Sequence, residues 1–135
     1  MARFTIEHLT HKRLLAAWPI IRASGAEPCA EWWLNDAMRL IDDGGGVLAA
    51  RAPDGIVHGV AIYRIARDQR FGRILSVASI VTFELRRRAP VRQALCDALD
   101  ELSLTLECKG IGMADCPLGV RQQLSKPFFP AATNA

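Results

Sequence analysis

Apolar and polar residues alternate from Phe4 to Leu9, which predicts a short first strand. The period then lengthens. Leu14, Leu15, Trp18 and Ile21 form a helical stripe over about residues 11–23, with Thr10 as N-cap and Ser24-Gly25 as the stop. Pro19 lies inside that stripe and predicts a kink or break. A second helix is expected from Glu27-Pro28 through Asp42, its apolar face carrying Trp32, Trp33, Ala37, Leu40 and Ile41. Gly44, Gly45 and Gly46 follow. A phosphate loop would need a helix after them, but Val47 to Ala50 reads as a strand, so they are a helix stop and a flexible turn.

The turn Ala52-Pro53-Asp54-Gly55 leads into a strand over 56–66 with apolar groups on both of its faces. Such a strand is central and covered on both sides. Arg67 to Arg70 is expected to be a polar loop, and 73–84 another long strand. Pro90 suits the first turn of a helix, where its missing N–H costs nothing. Val91, Leu95, Ala98, Leu99, Leu102 and Leu106 continue that helix, and Cys108-Lys109-Gly110 is the expected stop. A short strand at 111–116 ends before Pro117, and 120–124 reads as a short last helix. The order is β-α-α-β-β-β-α-β-(α), an α/β or α+β layer fold. One domain is expected over residues 1–125, with an irregular tail at 126–135 and no repeat or linker.

Composition narrows the functional classes. Half of the 135 residues are hydrophobic and 23% are charged, as in globular chains. No window approaches about 18 consecutive apolar residues, and no secretory leader is recognisable, so a soluble cytoplasmic protein is expected. The formal charge of +3, without interleaved exposed aromatics, argues against a nucleic-acid binder. Cys29, Cys96, Cys108 and Cys116 form no metal-binding spacing and read as reduced thiols. His8 and His11 lack a third ligand nearby and read as solvated or capping residues. The adjacent tryptophans read as a packing anchor in preference to a stacking site.

Charge is segregated around the last long helix. Arg86, Arg87, Arg88 and Arg92 gather at its start, and Asp97, Asp100, Glu101 and Glu107 follow. Such a cluster is either a solvated turn or an anion site. Arginines before a helix N-terminus oppose the macrodipole and cost stability unless an anion is near. A helix N-terminus also suits a pyrophosphate, and arginine adds charge and forked donors.

The stretch Leu75–Ile111 resembles the GCN5-related N-acetyltransferase (GNAT) family. There a strand with a splayed end leads into a turn Arg/Gln-x-x-Gly-x-Gly/Ala, an amphipathic helix and a short strand. The matching residues are Ile80-Val81-Thr82-Phe83 for the strand end, Arg87 to Arg92 for the turn, 93–107 for the helix, and Gly110 to Met113 for the next strand. Pro90 and Arg92 stand at the two glycine positions. The resemblance implies a mixed central sheet with helices on both faces, here with the family's last strand pair missing. It implies acetyl-CoA as co-substrate, held by Val81, Thr82, Phe83, Arg87, Arg88, Ala89, Val91 and Arg92. The acceptor would be a small-molecule or protein amine. Catalysis needs a base for the amine proton and an acid for the leaving thiolate. Glu84 is the candidate base and His58 a second one. Ser125 is the candidate acid, since the single tyrosine, Tyr63, lies on a strand. Cys116 is a nucleophile candidate without an evident partner. The alternative is a non-catalytic GNAT-like module that binds CoA or a protein partner through an exposed sheet edge, as a homodimer or hetero-complex.

Overall fold

A computed structural model describes residues 4–83 and 90–113. Five strands form one sheet in the order β1-β2-β3-β4-β5. They are β1 (Thr5–His8), β2 (Gly46–Arg51), β3 (Val57–Asp68), β4 (Gly72–Thr82) and β5 (Gly110–Met113). β1 to β4 pair antiparallel with one another, and β5 runs parallel to β4. A parallel pair needs a long crossover, which α3 (Pro90–Thr105) supplies.

The central position expected for the third strand is the one that β3 occupies. One face of the sheet packs Leu48, Ala50, Ala61, Leu75 and Val77 against Val91, Leu95 and Leu99 of α3. The opposite face packs Val47, Ala49 and Val60 against the segment between β1 and β2. That segment holds a 3-10 helix (His11–Ala17), α1 (Trp18–Ser24) and α2 (Ala30–Asp42).

Several local expectations are corrected. The first helix breaks as Pro19 required, but into a 3-10 turn followed by α1, with Pro19 in the first turn of α1. The second helix starts at Ala30, three residues later than Glu27, because Cys29 is held extended as its cap. Trp33 is buried, and its indole N–H donates to the Leu14 carbonyl at 2.9 Å. Trp32 is 60% exposed, since neighbouring helical positions are about 100° apart and cannot share one face. The expected loop at 67–70 shrinks. β3 runs through Asp68, whose carboxylate accepts the N–H groups of Arg70 and Phe71 at 2.8 and 3.0 Å. α3 stops earlier than Gly110. Glu107 takes the left-handed conformation at φ 58°, while the Cys108 N–H bonds the Ser103 carbonyl and the Glu107 N–H that of Leu104.

His8 is solvent-exposed, as expected, but it has a partner: its ring lies 2.9 Å from the Tyr63 hydroxyl, and partial desolvation lowers its pKa. Among the described residues no helix is long and apolar enough to cross a membrane, and no group of metal-ligating side chains is assembled. The expected last helix and the tail lie outside the described residues.

Candidate functional site

Two irregularities shape the sheet where β4 approaches α3. Between Ile62 and Tyr63 of β3 the partners in β4 step from Ser79 to Val77, so Ala78 is an inserted, bulged residue. Val77 is also the last β4 residue with a partner on both sides, Tyr63 in β3 and Met113 in β5. Beyond the bulge, Ser79, Ile80, Val81 and Thr82 still pair with β3, at Ile62, Ala61, Val60 and Gly59. Among the described residues, no strand lies along their other side.

The direction of the backbone groups follows from one hydrogen bond. The Phe83 N–H donates to the His58 carbonyl at 2.8 Å. In an antiparallel ladder alternate residues point to the same neighbour. Ser79, Val81 and Phe83 therefore turn their backbone groups to β3. Ile80 and Thr82 turn theirs to the open edge.

The helix that follows is seated by a glycine. A Cβ at Gly59 would lie 2.5 Å from Val91 Cγ1, 3.0 Å from Leu95 Cδ1 and 3.2 Å from Thr82 Cγ2. Only a residue without a side chain lets the first turn of α3 sit this close to β3. The open edge of β4 and the N-terminal end of α3 thus meet over Gly59, with residues 84–89 joining them.

Of the residues singled out from the sequence, Val81, Thr82, Phe83, Val91 and Arg92 are brought to this junction. Glu84, Arg87, Arg88, Ala89, Cys116 and Ser125 lie outside the described residues. Arg92 is half-buried on α3, and its charge reaches Cys96 one turn on. Burial pushes the Cys96 thiol up, Asp100 adds to that, and Arg92 opposes it. His58 is the inserted residue of a second bulge, between β2 and β3, and sits between the rings of Phe4 and Phe83. Tyr63 is buried at the level of Val77, bonded to His8, and its pKa is raised first by burial and then by Cys108.

A pocket of about 480 Å³ lies on the opposite face, between α2 and β3. Trp33, Ala37, Leu40 and Ile62 give it apolar walls, and Glu27, Asp36, Asp43, Arg39 and Arg64 a charged rim. Ile62 is the partner of Ser79, so this pocket adjoins the bulge. Burial raises the Glu27 pKa, and the hydrogen bond and charge of Asp36 raise it further.

Sequence reasoning put Ile80 in the strand end but missed its backbone role, and it missed Gly59 and the pairing of Glu27 with Asp36. Gly59 carried a signal, since a glycine inside a strand marks a bulge or a close approach. Ile80 carried none, because its contribution is a backbone direction set by register. Glu27 lies outside the helix that holds Asp36, so no helical spacing connects them.

This fold recurs in solved structures of acetyltransferases. An aminoglycoside N-acetyltransferase, AAC(6')-Iy, solved in complex with CoA, superposes with a TM-score of 0.77 at 15% identity, covering 93% of this chain and 86% of that one. An acetyltransferase of Trypanosoma brucei gives 0.71 at 20% identity, covering 98% and 96%. A ribosomal-protein-alanine N-acetyltransferase of Brucella melitensis biovar Abortus gives 0.72 at 17% identity, covering 90% of each. The chain has the GNAT fold. No protein-family model matches its sequence, and no curated protein matches it significantly. The GNAT likeness therefore rests on the shared course of the backbone.

Proposed function

We propose that this chain is an acetyl-CoA-dependent N-acetyltransferase acting on an amine. The observation that carries this reading is the open half of β4. Ile80 and Thr82 present backbone donors and acceptors along an edge that no described strand pairs, and this edge leads to the N-terminal end of α3. An extended amide chain such as pantetheine can add to that edge as a strand would. The end of α3 then lies where a pyrophosphate would follow, favoured by the helix dipole. Pro90 lacks an N–H, so the side chains of Arg87, Arg88 and Arg92 carry more of that contact than backbone amides.

In the reaction a neutral amine attacks the thioester carbonyl. The C–S bond breaks, the amide C–N bond forms, and the amine proton leaves to a base while the thiolate collects one. Glu84 is the proposed base, directly or through water, and Ser125 the proposed acid. With the bulge at Ala78 next to Ser79, the partner of Ile62, the end of a pantetheine arm on this edge would lie beside the pocket of α2 and β3, from which the amine would approach. A cytoplasmic setting suits Cys29, Cys96 and Cys108, all free thiols.

The test is calorimetry with acetyl-CoA and CoA, followed by thiol release with a mixed set of amines. Binding that weakens in Arg87→Ala/Arg88→Ala, with CoA released on turnover, supports the reading. Full activity in that variant rejects the arginine assignment. The occupied glycine positions, Pro90 and Arg92, favour a second reading, a module that binds CoA or a partner chain without turnover. It predicts CoA binding with no thiol release, and self-association or a hetero-complex in sedimentation.

A further inference from the structure

We propose that Phe83 is the platform on which the adenine base of the acyl-CoA stacks. The inference rests on the acetyl-CoA reading above and adds the recognition of the nucleotide end. Phe83 is 57% exposed, although it is a large aromatic at the end of a strand with a half-buried neighbour, Thr82. Its backbone is anchored, since its N–H is held by His58. One side of the ring is backed by an aromatic column. The His58 ring lies 6.5 Å from that of Phe83 and the Phe4 ring 5.8 Å from that of His58, both tilted.

The position gives the exposed face a particular occupant. Thr82 borders Gly59 and thereby Val91 in the first turn of α3. Phe83 is the next residue, at the mouth where the open edge of β4 meets the helix end. A ligand with its amide arm on Ile80 and its pyrophosphate at α3 has one flat apolar group left beyond the phosphates. That group is a purine, and an aromatic face backed by other rings is the surface that a purine covers. Phe83 touches no reacting atom in this role, so it would alter affinity and leave the chemical step alone.

The experiment uses the full chain with CoA, read by proton NMR and calorimetry. In the unsubstituted protein, the adenine H2 and H8 signals should move upfield by ring current while the pantoyl methyl signals also shift. In Phe83→Leu, which keeps apolar bulk but has no π face, the adenine shifts should vanish and the pantoyl shifts remain. Affinity should fall roughly tenfold, the usual size of one base–aromatic stack. Phe83→Trp should restore both. Adenine signals that shift equally in the Leu variant overturn the inference, as does an unchanged affinity. Loss of pantoyl and adenine shifts together also overturns it, because Phe83 would then be shaping the turn. If neither set of signals moves in the unsubstituted protein, the acetyl-CoA reading itself falls, and this inference with it.

Discussion

The two halves of β4 are made of similar residues and end up in different roles. Gly72 to Val77 has β3 on one side and, from Ile74, β5 on the other, and it supplies Leu75 and Val77 to the core at 0% exposure. Ala78 to Thr82 is equally apolar, with Ile80 and Val81, yet it stays only half-buried. The bulge at Ala78 divides them. A strand with two neighbours spends its backbone on the sheet, and one with a single neighbour keeps half of its backbone groups for another partner. On the proposed reading, the place where the amide arm would bind is set by pairing that stops, while side chains serve the nucleotide end.

The largest effect that would test this contrast is a truncation in the closed half. Leu75→Ala should cost about 2–5 kcal/mol, whereas Ile80→Ala in the open half should cost under about 2 kcal/mol, both read from denaturant midpoints. Similar costs for the two would mean that the open half is as tightly packed as the closed one.

Gly59→Val probes the seat of α3. The added methyls meet Val91 and Leu95, so an overpacking cost of about 1–3 kcal/mol is expected, with weakened CoA binding as α3 is pushed off β3. A variant that keeps its stability and its CoA affinity would show that α3 is not seated by this contact.

Proline separates the two edges of β4 directly. Val81→Pro removes an N–H from the ladder with Val60 and should cost about 1–3 kcal/mol. Ile80→Pro removes one from the open edge only, so the fold should persist with less than about 1 kcal/mol lost while CoA affinity drops. Equal destabilisation by the two prolines would contradict the register-based assignment of backbone direction.

Smaller effects are expected away from this strand. Glu107 adopts a conformation that suits glycine, so Glu107→Gly should raise stability by up to about 1 kcal/mol without touching CoA binding. pH should act through His8. Burial lowers its pKa below the ordinary 6.5, so the fold favours the neutral imidazole. Stability is then fully present above pH 6.5 and is lost as pH falls through the depressed folded value, levelling off beneath it. His8→Gln should flatten that loss in melting temperatures taken between pH 8 and pH 5, while Ile80 and the open edge are unaffected.

Much of this was readable before folding was considered. The helical stripe of Leu95 and Leu99, the double-faced strand around Val60 and Ala61, and the proline at the start of α3 all pointed to their observed roles. The errors were at boundaries. The helical spacing puts Trp32 on the apolar face, yet it is 60% exposed, and Cys108-Lys109-Gly110 reads as the helix stop that Glu107 provides. Of the candidate site, the sequence pointed to the strand end that contains Ile80 and to the helix start, but not to the backbone direction of Ile80 or to Gly59. It offered Val81 and Phe83 on equal terms with Thr82, although their backbone groups turn to opposite edges.

The sequence by itself determined which of the described segments are strands and helices, their order, and the run of arginines that precedes α3. Those features depend on residues within one or two turns of each other, so periodicity and local conformational preference carry them. Tertiary structure alone decided that, among the described residues, β4 is paired twice just before Ala78 and once after it, and that Gly59 lies under α3. It also decided that Phe83 backs onto His58 and Phe4. Each of these depends on the register between segments far apart in the chain. One inserted residue changes that register, and no local pattern records it.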